Sequence, residues 1–211
     1  MNNNLSTSDE LKAIRKLMEE STRFLSLSGF SGIFAGVFAI AGALVAWFFI
    51  LDRGNILYDE YFRSLSGKES SLLRLQLAVD AGAVLILSVI SAFWFSSVKA
   101  KKSGKRMWTP VSERLLVNMA IPLVAGGLFI LILLFRNNVQ MIVPGMLVFY
   151  GLALVSAGKF TYSEVFYLGL LQIVTGLFAA LFTGYGLLFW IIGFGILHIL
   201  YGLFMLRKYE A

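Results

Sequence analysis

The sequence contains no cysteine. Disulfides, thiolate metal ligands and cysteine nucleophiles are therefore excluded. It has one histidine, His198, so neither a multi-histidine metal site nor a bis-histidine haem forms within one subunit. Charged residues are also scarce, at 14% of the chain, where a soluble domain carries about 25%. The missing charge matches a surface that faces lipid. No HExxH pair, phosphate-binding glycine loop or dinucleotide fingerprint occurs. The sequence thus names no substrate and no reaction, and no metal or cofactor is expected.

Apolar residues are plentiful, at 58% of the chain, with a mean hydropathy of +0.80. They fall into six runs, at about 29–51, 72–98, 115–135, 141–157, 165–182 and 187–206. Each is close to the roughly 20 residues needed to cross a hydrocarbon core of about 30 Å. The predicted fold is all-α: a polytopic membrane protein with a bundle of six transmembrane helices. Residues 29–211 form that domain, and residues 1–28 a cytoplasmic amphipathic helix and junction. Thr7 and Glu10 have capping-box spacing, and Leu11, Ile14, Met18 and Leu25 share one face. This helix would rest on the membrane or dock on a partner. No cleavable signal is expected, because the first apolar run outlasts a signal-peptide core. Residues 52–71 make a polar loop that is long for a helix connection.

The net charge of +6 raises nucleic acid as a partner. The cations sit at the ends of apolar runs, without interleaved aromatics, so the membrane explains them better. The densest cluster is Lys99, Lys101, Lys102, Lys105 and Arg106. With both termini inside, thirteen cations lie inside and five outside. The outer five are Arg53, Arg63, Lys68, Arg74 and Arg136. The positive-inside rule then predicts both termini cytoplasmic, and a bacterial-type inner membrane is the expected location.

Few residues within the spans carry chemistry. Asp80 is the only acid well inside an apolar run, and such a group is costly unless it is paired or used. Gln76 stands one turn before it, whereas Arg74, six residues away, is read as facing elsewhere. His198 shares a predicted face with Gly195 and Gly202. Gln172 lies beside Gly169, Gly176 and Ala179, and Asn118 is on the third span. Should these faces meet, His198, Gln172 and Asn118 line one polar site. On the first span Gly29, Gly32, Gly36, Ala39 and Ala43 recur at spacings of 3 and 4. Such a stripe admits a close helix, in this chain, in a second copy or in another membrane protein.

Two family resemblances bear on function. Gly29-Phe30-Ser31-Gly32 spells GxSG and His198 lies on the last span, which is similar to rhomboid intramembrane proteases. On helix rise, however, Ser31 and His198 differ in depth by about 10 Å, so a serine dyad is not expected. Six helices, a small-residue stripe on helix one and a long first outer loop resemble, in outline, the substrate-capturing subunits of energy-coupling-factor vitamin transporters. That resemblance implies a stripe that contacts a partner subunit and outer loops that close over the substrate. The expected function is non-catalytic: binding or transport of a small, weakly polar solute. Ligand-binding candidates are Asp80, Gln76, Asn118, Gln172 and His198. The alternative is a scaffold or regulatory partner that docks through its small-residue faces.

Overall fold

A computed structural model describes residues 23–51, 67–104 and 106–210, with the side chains of residues 67 and 68 left out. The amphipathic N-terminal helix and most of the 52–71 loop lie outside the described residues. Among the described residues, six helices are long and apolar enough to cross a membrane. They are α1 (Gly29–Ile50), α2 (Gly67–Lys102), α3 (Pro110–Phe135), α4 (Ile142–Ala157, entered through a 3-10 turn at Val139–Met141), α5 (Ser163–Leu181) and α6 (Gly186–Tyr209). No strand occurs among the described residues. The chain is a multi-pass membrane protein of the all-α class, as its sequence predicts.

Local chemistry sets the boundaries. Thr109 caps α3 by accepting from the Ser112 amide at 3.2 Å, while the Thr109 amide donates to Ser112 Oγ at 2.8 Å. Pro110 takes the first helical position, where its missing N–H would be unpaired anyway. Pro122 lies within α3 without ending it. At the other end Asn137 adopts φ 56°. The Asn138 and Asn137 amides then reach back to the Leu133 and Leu134 carbonyls, at 2.9 and 3.2 Å. This closes the orphan carbonyls of the last turn.

Helix α2 is the long member. Its 36 residues span about 54 Å, well beyond a hydrocarbon core. Its last turn, carrying Lys99, Lys101 and Lys102, therefore reaches the aqueous boundary. Large apolar residues cover the outer faces, with Leu85 and Phe93 on α2, Ile121 on α3 and Leu181 on α5 all more than 60% exposed. Such a surface is unsustainable in water and ordinary in lipid.

Glycine, with no side chain, decides how the helices meet. A Cβ built on Gly29 or Gly36 would come within 2.5 Å of the Gly202 or Gly195 carbonyl oxygen of α6. Gly151 of α4 and Gly169 of α5 face each other equally closely, at 2.7 Å in both directions. Helix α6 is thus central, touching α1 through Gly195 and Gly202, and α4 and α5 through Gly193 and His198. The stripe of Gly29, Gly32, Gly36, Ala39 and Ala43 is buried. Its partner is mainly α6, so the stripe does not form the exposed docking face that the transporter resemblance implied.

The two ends of the bundle differ. At one end the extended segment before α1 is pinned to the α4–α5 turn. The Phe24 amide donates to the Phe160 carbonyl at 2.7 Å, Thr161 donates to Phe24 and Tyr162 to Leu25. Glu210 accepts from the Gly29 amide at 2.7 Å and from Lys99 at 3.0 Å. Glu164 holds Lys208 at 2.6 Å. This is the basic end. The other end gathers Leu51, Leu73, Leu77, Val139 and Leu187 into a small apolar cluster.

Candidate functional site

Among the described residues, two polar places within the bundle stand out. The first lies around His198. Between Ile191 and Leu197 the chain of α6 widens into a π-helical turn that includes Gly193 and Gly195. Such a turn departs from the regular bonding ladder and leaves a carbonyl available to side chains. Gly193 O accepts from Gln172 Nε2 at 2.7 Å and lies 3.0 Å from His198 Nδ1. A carbonyl only accepts, so Nδ1 carries the ring proton and Nε2 is the acceptor. Tyr150 donates to that Nε2 at 2.8 Å, and its ring stacks on the imidazole at 5.4 Å. Gln172 Nε2 and His198 Nδ1, 3.4 Å apart, are then two donors converging on one carbonyl.

The sequence-predicted pair His198 and Gln172 does come together, and both are buried. Asn118 does not join them. It is exposed on α3, and its amide donates to the Arg114 carbonyl one turn back, at 2.8 Å. Gly126 of α3 meets α4 at Phe149, and Phe129 and Ile130 pack on the same helix. Asn118 lies eight positions before Gly126, about 80° around the helix, and so turns off that contact. The predicted face shared by His198, Gly195 and Gly202 is also split. The glycines meet α1, whereas the imidazole enters the gap between α4 and α5.

Ser31 sits nearer the level of His198 than helix rise from the chain ends suggested. A Cβ on its neighbour Gly32 would lie 3.1 Å from the His198 carbonyl oxygen. The reason is that α6 runs on past the start of α1, so that Gly29 is level with Gly202 and Leu206. The side chains nevertheless diverge. Ser31 Oγ donates to the Ser28 carbonyl at 2.5 Å, and both nitrogens of His198 are engaged on the far side of α6.

The second place is a cavity of about 130 Å³ at the end opposite the basic one. Its walls come from α1, α2, α3, α4 and α6 and are almost wholly apolar, including Ala43, Leu77, Ile130, Met146 and Trp190. Asp80 and Arg74 are the charged residues on its wall. The Asp80 carboxylate lies against Gly42, whose added Cβ would be 3.4 Å from Oδ2. It has no hydrogen-bond or ion-pair partner among the described residues. Arg74 Nε donates to the Ser70 carbonyl at 3.1 Å. Its long side chain brings it to the same cavity, although six residues separate it from Asp80. Gln76 is exposed and lies off the cavity wall. Trp190 closes one side and donates its indole N–H to the Ala39 carbonyl at 3.0 Å. The small side chains of α1 let that indole approach the backbone.

Sequence reasoning missed Tyr150, the Gly193 carbonyl, Arg74 and Trp190. Tyr150, a phenol in an apolar run, was the available signal for the first. A π-helical turn has no side-chain signature beyond its glycines, so the carbonyl had none.

Fold, composition and exposed apolar faces together define a multi-pass integral membrane protein in contact with lipid, with six candidate spans among the described residues. No family model, curated protein or solved structure matches the chain.

Proposed function

We propose that this protein binds a small, weakly polar solute in the Asp80 cavity, as the ligand-handling step of a solute transporter or receptor. It would sit in a bacterial-type inner membrane with both termini cytoplasmic, so the cavity lies toward the outer side. The reading rests on one observation: Asp80, whose carboxylate has no partner among the described residues, lines a largely apolar cavity in which Arg74 is the other charged residue. Burying such a group without a partner is expensive, and a ligand that donates a hydrogen bond removes that cost. The volume, about 130 Å³, is near that of an apolar cavity of about 150 Å³ that holds benzene. The solute class is therefore a small apolar body with one hydroxyl, amide or amine head. The scaffold alternative loses its main support, because the stripe on α1 is occupied by α6.

The test is native mass spectrometry of gently extracted protein. Wild type should carry a co-purified small molecule, and Asp80→Asn should lose it with an unchanged thermal midpoint. A variant that retains the same adduct at the same occupancy removes Asp80 from the site.

A further inference from the structure

At the basic end a second, wider recess opens between α1, α2 and α6, with a volume of about 690 Å³. Its rim carries Lys99, Lys102 and Arg207, and its deeper wall includes Phe30 and Phe95. Glu210 also lines it. That carboxylate is already engaged, since it accepts from Lys99 at 3.0 Å, from the Gly29 amide at 2.7 Å and from Ser28 at 3.2 Å. Lys102 and Arg207 are exposed, and neither has an ion-pair or hydrogen-bond partner among the described residues. The recess therefore keeps two uncompensated cations at its mouth.

The wall below them is shaped for a chain. Phe30 stacks on Phe95 at 5.8 Å, and Phe95 on Phe34 at 4.9 Å. Phe34 is followed one turn deeper by Phe38, at 6.0 Å. Phe30 and Phe34 are each at least 40% exposed. An aromatic track thus descends from the cationic mouth along the lipid-facing seam of α1 and α2. Cations at the boundary with an apolar track below them complement a molecule with an anionic head and an acyl tail.

We propose that this recess is a binding site for one anionic phospholipid of the surrounding leaflet. Its phosphate lies between Lys102 and Arg207, and one acyl chain lies along Phe30, Phe95 and Phe34. The fork of Arg207 can take two phosphate oxygens, while Lys102 acts as a point charge. The site is separate from the Asp80 cavity and does not depend on what that cavity holds.

The test titrates phosphatidylglycerol, phosphatidylcholine and inorganic phosphate into the full-length protein in neutral detergent, with adducts counted by native mass spectrometry. Wild type should take one phosphatidylglycerol about tenfold more tightly than phosphatidylcholine, and phosphate should not displace it. The double variant Lys102→Gln/Arg207→Gln should lose about tenfold or more, since each cation near a membrane surface is worth roughly fivefold. Lys101→Gln/Arg114→Gln removes the same charge outside the recess and should bind as wild type does. Equal losses in the two double variants would reduce the effect to net charge and overturn the site. Equal affinity for the two lipids, or displacement by phosphate alone, would overturn it as well.

Discussion

His198 is buried in an apolar bundle, yet both ring nitrogens are engaged, one by Tyr150 and one by a backbone carbonyl. Removing the Tyr150 hydroxyl leaves the imidazole short of one donor. Tyr150→Phe should therefore destabilise the protein by about 1 kcal/mol, in line with interhelical hydrogen bonds in membranes. Chemical denaturation in mixed micelles measures this, and an unchanged midpoint would show that the bond contributes nothing net. Tyr162 tells a different story at the basic end. Burial, with Tyr209, Glu210 and Glu164 nearby, pushes its phenol up to about 12. The folded protein then holds a proton that the unfolded chain releases near pH 10. The stabilisation is whole below pH 10 and is lost as pH rises toward 12. The stability advantage of wild type over Tyr162→Phe should shrink between pH 10 and pH 12, as read by thermal melts. A constant advantage would mean that the phenol does not titrate in that window.

The glycines of the helices are not interchangeable, and their neighbours say why. Gly36 faces the Gly195 carbonyl of α6 with no space for a methyl group, whereas nothing lies within 4 Å of a Cβ on Gly82 of α2. Gly36→Ala should force α1 away from α6 and cost about 2 kcal/mol or more. Gly82→Ala should be neutral or gain up to about 1 kcal/mol from helix propensity. Thermal midpoints of the pair in one detergent separate these outcomes, and equal shifts would refute the assigned packing. The element scale is also where the sequence was most legible. Run length and apolar content predicted the six spanning helices, and the 3-and-4 spacing picked out the buried side of α1. Azimuth between helices was not legible. Asn118 was grouped with His198 because both are polar residues within apolar runs, but pattern along one helix does not say which neighbour it turns toward. Arg74 was set aside on spacing alone, which neglects the reach of a long side chain.

One end of the bundle is basic, the opposite end gathers the apolar cluster around Leu51 and Leu73, and the two candidate sites divide between them. If the basic end faces the cytoplasm, an introduced thiol reports it directly, because the chain has no cysteine of its own. Asn137→Cys, in the exposed turn after α3, should react with an impermeant maleimide on intact cells. Lys101→Cys should react only after permeabilisation. The reverse pattern would invert the protein and move the Asp80 cavity to the cytoplasmic side.

The central place of α6 also constrains biogenesis. Gly29 is capped by Glu210, which lies 181 positions further along the chain, and the glycine stripe of α1 waits for the same late helix. During translation the first span must therefore enter the bilayer with its closest neighbour still unmade. Until α6 emerges from the ribosome, that bare stripe has only lipid, earlier spans or the insertion machinery to lie against. The nascent bundle becomes a finished one in a late step that joins the first helix to the last.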